Sequence, residues 1–319
     1  MPAVVTAPER TAREDSGILD MLADWCTVAL LRAPRDHLLT RAELHAHAPY
    51  LSDDTFERAV KRLEDHGLIA GCGQAAPPHR SNSCELTPAG VDVLGVADVV
   101  EGWEVEACRC ERQHTEGAHA KLIAVPANRE ILRALSERGL TCTELERRLP
   151  GRTRSTLERR LGALRHAGLI HSRHMADQRE VHHELTVHAR KAGTVIVTVA
   201  RWHWRWTPEQ IPALAADVPG LICLIAPLVR MPVDMEGTCL LHVEHQPAAP
   251  AQAHVHLSVA EGRVTPLPLG STRPPCARMH AEDAAWVEAL CSGDPKGITV
   301  EGARALGHAV LAGLAWVVQ

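Results

Sequence analysis

The segment LTRAELHAHAPYLSDDTFERAVKRLEDHGLI, residues 39–69, returns at residues 140–170 as LTCTELERRLPGRTRSTLERRLGALRHAGLI. Without gaps, Glu43-Leu44 falls on Glu144-Leu145, Pro49 on Pro150, Glu57-Arg58 on Glu158-Arg159, and Gly67-Leu68-Ile69 on Gly168-Leu169-Ile170. With two residues fewer in the later copy, Glu85-Leu86-Thr87 meets Glu184-Leu185-Thr186 and Trp103 meets Trp202. A tandem duplication restricts the fold more than any compositional figure does, because one local structure must satisfy both copies.

That local structure is readable. Thr40-x-x-Glu43 and Thr141-x-x-Glu144 are capping boxes, in which a hydroxyl and a carboxylate satisfy the free amides of a helix start. A proline-centred turn follows, and Ser52 or Thr153 caps the next helix. In that helix Leu157, Leu161 and Leu164, like Phe56, Val60 and Leu63, recur at the spacing of one buried face. Gly67 and Gly168 suit the left-handed position that ends a helix. A hairpin ending in ELT leads to a last helix that carries the matched tryptophan. Helix, helix-turn-helix, two-stranded wing and helix describe a winged helix. The pattern S-T-L-E-R-R-L-x-x-L-x-x-A-G-L-I, with its LPG turn, wing, ELT and terminal tryptophan helix, resembles the HxlR/MarR-like winged-helix regulators over residues 18–206, twice over. The resemblance implies DNA binding and pairing through terminal helices. Family members are usually homodimers, so the duplication implies a pseudo-dimer within one chain, with homodimerisation of the whole chain left open.

The two copies differ in charge. Residues 120–206 carry 17 Lys and Arg against 8 Asp and Glu, whereas residues 18–119 carry 9 against 17. Phosphate attraction supplies most non-specific DNA affinity, so the basic copy is expected to be the reader. Its expected contacts with double-stranded DNA are Arg152, Thr153, Arg154, Ser155, Arg159 and Arg160 around the second helix, with Arg173 and Arg179 on the wing. Arg154 and Ser155 lie in the first turn, where a major-groove helix usually meets base edges. The first copy starts the same helix with Ser52-Asp53-Asp54, good capping chemistry that repels phosphate.

Residues 207–319 change character. GTCLLHVEH and AHVHLSVAEGRVTPLPLG alternate apolar and polar, with Glu261-Gly262 suited to a hairpin turn, Val255, Leu257 and Val259 facing a core, and His254 and His256 opposite. Helices are expected around 281–292 and 301–317. The run from Ala277 to Leu314 resembles a small sterol-carrier-type domain, which implies an apolar ligand cavity. The fold class is therefore α+β: two tandem winged-helix domains followed by a small α+β domain. The expected divisions are a flexible tail (1–17), a degenerate winged helix (18–106), a linker (107–120), the reading winged helix (121–206), and a domain for ligand binding or assembly (207–319).

Trp103, Trp202, Trp204 and Trp206 are candidates for holding a small apolar or aromatic effector, against the alternative of ordinary packing. Cys108, Cys110, His114 and His119 have zinc-ligand chemistry but no familiar finger spacing. Neither a metal nor a cofactor is expected. A cytoplasmic location is expected from the lack of a membrane span or leader. The ten cysteines are then expected to be mostly reduced, with a thiol switch possible at Cys72 and Cys84. No Walker loop, Rossmann glycines or G-x-S-x-G motif points to an enzyme. The leading expectation is a ligand-responsive transcriptional regulator. The alternatives are a drug-sequestering resistance protein and a biosynthetic enzyme on a winged-helix scaffold.

Overall fold

A computed structural model describes residues 17–72, 83–110, 117–174, 181–210, 217–244, 253–268, 271 and 273–319. The first repeat runs α1 (Ile18–Leu22), α2 (Trp25–Arg32), β1 (Leu39–Thr40), α3 (Arg41–Ala46), α4 (Asp53–Asp65), β2 (Ile69–Ala70), β3 (Ser83–Leu86) and α5 (Pro88–Cys110). The second follows in the same order: α6 (Ala118–Ala124), α7 (Pro126–Glu137), β4 (Leu140–Thr141), α8 (Cys142–Arg148), α9 (Arg154–His166), β5 (Ile170–His174), β6 (Val181–Leu185) and α10 (Val187–Trp206). The small sheets match too, with orders β1-β3-β2 and β4-β6-β5.

Local chemistry sets these boundaries. Both capping boxes form, at Thr40/Glu43 and Thr141/Glu144, and the Ser52 and Thr153 side chains accept from the amides of Thr55 and Thr156. Gly67 and Gly168 both adopt φ 65°, which a residue with a Cβ resists. The threonine of each ELT has two tasks. Thr87 donates to the Gly67 carbonyl and accepts from the Gly90 amide; Thr186 does the same with Gly168 and Ala189. The wing is thereby tied at once to the end of the helix before it, α4 or α9, and to the start of the long terminal helix.

The terminal helices pack antiparallel. Near the end of α5, Trp103 Nε1 donates to the His188 carbonyl at the start of α10, at 3.0 Å. Near the end of α10, Trp202 Nε1 donates to the Ala89 carbonyl at the start of α5, also at 3.0 Å. Trp103 and Trp202, and likewise Ala89 and His188, are equivalent positions of the repeat, so the bonds exchange under an internal twofold. α1 packs on α6 across the same axis. Beside it, Glu104 accepts from the Ala120 amide and meets His119 Nδ1 at 2.7 Å, both side chains being buried.

Two details differ from expectation. α5 continues to Cys110 and α6 starts at Ala118, so much of the expected linker is helical. Cys72 and Cys84 are joined in a disulfide, and both are buried; the wing hairpin brings their Cα atoms to 4.7 Å. The pair expected as a thiol switch is thus oxidised here, while Cys26, Cys223, Cys239, Cys276 and Cys291 are free thiols.

α11 (Val218–Ile225) leads from α10 into a five-stranded sheet of β7 (Gly237–Glu244), β8 (Ala253–Ala260), β9 (Arg263–Pro266), β10 (Ala277–Glu282) and β11 (Thr299–Gly302). The strand order is β11-β10-β7-β8-β9, with only the β10–β7 pair parallel among the described strands. Glu261 (φ 52°) and Gly262 (φ 70°) form the expected two-residue turn between β8 and β9. Val255, Leu257 and Val259 are buried as the alternation requires. α12 (Asp283–Ser292) and α13 (Arg304–Val318) supply Trp286, Leu290, Val310 and Leu314 to this core. The bidentate Arg201–Glu288 pair, 3.0 Å on each arm, joins α12 to α10. Among the described residues no helix is long and apolar enough to cross a membrane.

Candidate nucleic-acid interface

α9 buries Leu157, Leu161 and Leu164, which leaves Ser155, Arg159, Gly162 and His166 on the opposite side at i, i+4, i+7 and i+11. Ser155, Arg159 and His166 are exposed. Gly162 would meet nothing within 4 Å if it carried a Cβ, so packing does not require a glycine there. A glycine inside a helix costs about 1 kcal/mol relative to alanine. Its one evident benefit is a shallow spot in the middle of the outward face.

The arginines of this region fall into three groups. Arg152 and Arg160 hold the unit together. Arg152 makes a bidentate pair with Glu130 of α7, at 2.9–3.1 Å, and fixes the turn before α9. Arg160 donates to Asn128 Oδ1 at 3.1 Å. Arg154 pairs with Glu158 one turn on, at 3.0 Å. Both side chains are more than half exposed, and solvent screens such a pair, so Arg154 is readily released. Arg159, on α9, and Arg173, on β5, are exposed with no hydrogen-bond or ion-pair partner among the described residues. Thr153 is occupied as the N-cap, and Arg179 lies outside the described residues. In the wing, burial, then Arg165 and His182, push the His183 imidazole below its ordinary pKa, and Ser172 Oγ meets His183 Nδ1 at 3.0 Å.

The matched surface of α4 has a different character. Asp53 and Asp54 occupy the places of Arg154 and Ser155, and both are exposed. Arg58, which corresponds to Arg159, folds back on its own helix, with Nε donating to the Asp54 carbonyl at 3.1 Å. Glu57 is held by Arg41. Farther along, Glu64-Asp65 replaces Arg165-His166, a contrast that the repeat alignment carried and the expected contact set omitted.

The tryptophans do not form one platform. Trp103 and Trp202 are buried at opposite ends of the helix pair, with their N–H groups committed to backbone carbonyls. Trp206 Nε1 donates to Asp92 Oδ2 at 2.9 Å beneath Arg205. Trp204, two residues from each of its neighbours, faces another direction. Of the Cys/His group, His119 has Nδ1 on Glu104 and Nε2 on the Ala167 carbonyl, so neither nitrogen is open to a metal. His114 lies outside the described residues, as do the side chains of Cys108 and Cys110.

A cleft of about 260 Å³ opens between α7, α10 and α11, with walls formed mainly by Pro126, Leu132, Ile196, Leu221 and Leu224. Glu130, the partner of Arg152, also lines it.

A capped helix-turn-helix, a three-stranded sheet whose β5–β6 hairpin is the wing, and an outward arginine surface define the class: a winged-helix DNA-binding domain. In agreement, residues 123–173 match a family model described as a helix-turn-helix domain. No curated protein matches the chain.

Proposed function

We propose that the chain is a ligand-responsive transcriptional regulator of the HxlR/MarR-like kind, in which α9 and its wing read DNA and the first repeat serves as the paired, non-reading half. The observation that carries this reading is the unpartnered Arg159 beside Ser155 and the shallow Gly162, set against Asp54 and a folded-back Arg58 on α4. Arg159 and Ser155 supply base-edge donors, and Arg173 supplies a phosphate contact. Arg152 and Arg160 act by holding the turn and helix in place.

The cleft between α7, α10 and α11 supports the ligand-responsive part of the reading. Its walls suit a small aromatic or apolar effector, and it borders the Glu130–Arg152 pair that fixes the start of α9. The effector site thus moves from the tryptophans to this cleft.

The test is fluorescence anisotropy with DNA from the upstream region of the chain's own gene, at several salt concentrations. Arg159→Ala is expected to weaken binding by about 1–3 kcal/mol, roughly 5–150-fold. Arg173→Ala is expected to reduce the salt slope by about 1. Replacing Asp53 and Asp54 by Ala leaves affinity intact or raises it. Wild-type affinity in the Arg159→Ala/Arg173→Ala double variant overturns the assignment.

A further inference from the structure

The face of the C-terminal sheet turned away from its helices carries a row of imidazoles. Strand alternation sends Cys239, Leu241 and Val243 into the core and leaves His242 and Glu244 on the other side. Register then aligns three strands: His280 of β10 lies opposite His242 of β7, which lies opposite His254 of β8. The ring of His242 is 4.9 Å from that of His280 and 4.7 Å from that of His254, tilted by 30° and 26°. Glu244 Oε1 meets His280 Nε2 at 2.7 Å. One donor atom each from His242, Glu244 and His280 all lie within 4.8 Å of one another.

A second observation separates this group from ordinary surface histidines. His242 Nε2 is shielded from solvent and has no hydrogen-bond partner, a costly state for a polar ring nitrogen.

We infer that His242, Glu244 and His280 form a binding site for a divalent transition-metal ion of the zinc class, with His254 placed to join as a fourth ligand. Two imidazoles and one carboxylate are a borderline set that suits Zn(II), Co(II), Ni(II) or Cu(II) rather than Ca(II) or Mg(II). Bonds of about 2.1 Å in tetrahedral geometry place ligand atoms about 3.4 Å apart. Side-chain rotation closes the present separations to that value. The Glu244–His280 hydrogen bond then yields to the metal, with the neutral His280 ring taking the tautomer protonated at Nδ1 so that the Nε2 lone pair is available.

The test uses the full chain stripped with chelator, and it needs no DNA, so it stands apart from the proposed reading function. Calorimetric titration with ZnCl2 is expected to show one strong site per chain. Co(II) in place of zinc gives the visible d–d absorption of a tetrahedral N/O site. His242→Ala and His280→Ala each weaken zinc binding at least roughly tenfold, and their combination abolishes it. Glu244→Gln, nearly isosteric, weakens binding with an unchanged circular dichroism spectrum and guards against loss of fold. His256→Ala, outward on β8 but outside the cluster, binds as wild type. Unchanged zinc binding in the folded His242→Ala/His280→Ala variant, or no binding by the wild-type chain at micromolar zinc, overturns the inference.

Discussion

Replacing Trp103 and Trp202 by Phe, singly and together, tests the internal twofold. Each substitution removes one indole N–H···O=C bond of 3.0 Å, a net loss of about 1 kcal/mol. The smaller ring also gives up roughly 40 Å² of buried apolar surface, about another 1 kcal/mol at the usual conversion. Each single variant should therefore lose about 2 kcal/mol. The two sites stand at opposite ends of the α5/α10 pair. Trp103 lies fourteen residues along α5 from Ala89, the partner of Trp202, or about 21 Å at the rise of an α-helix. Sites that far apart add, so the double variant should lose about 4 kcal/mol. Urea unfolding followed by circular dichroism reads all three values, provided that each transition remains single. One neutral variant beside a costly one would refute the symmetric role of the two bonds. A coupling above about 1 kcal/mol would refute their independence.

Gly162→Ala should raise stability by about 1 kcal/mol, since nothing crowds a Cβ there; Gly162→Leu, equally well folded, should lose DNA affinity. Equal affinity would show that the glycine serves no close approach. Reduction of the Cys72–Cys84 disulfide, which spans 12 residues, should destabilise the first winged unit by about 3 kcal/mol, seen as faster hydrogen exchange in α4 with α9 unchanged. Burial, then His119, lowers the pKa of His188 from 6.5 to about 4. The unfolded chain binds that proton first, so this contribution is full above pH 6.5 and declines as pH falls towards 4. His188→Gln should flatten the decline in urea midpoint, and an unchanged pH profile would exclude His188 as its source.

Features made within one turn of chain were legible in the sequence. The capping boxes, the two φ 65° glycines and the Glu-Gly hairpin depend on residues three or four positions apart, and the structure forms each of them. The repeat matched Trp103 to Trp202, but it did not decide between effector binding and packing, and the structure buries both. What the sequence left open was the division of the arginines, because their partners sit on another helix: Glu130 is 22 residues from Arg152, and Asn128 is 32 from Arg160. The histidine row was half visible. Alternation placed His254 and His256 outward, but His242 and His280 meet only through the parallel β10–β7 pairing, which no local pattern encodes. The disulfide was half visible too: Cys72 and Cys84 bracket the wing, and the β2–β3 register fixes their approach.

The antiparallel α5/α10 pair has a consequence for behaviour at low abundance. A homodimeric regulator must first find its partner, and at a few molecules per cell that step is governed by concentration. Here both halves of the pair belong to one polypeptide, so dilution cannot separate them. Each half is also free to diverge without upsetting a mate made from the same gene. On the proposed reading, in which α9 alone contacts DNA, an asymmetric operator suffices in place of a palindromic one.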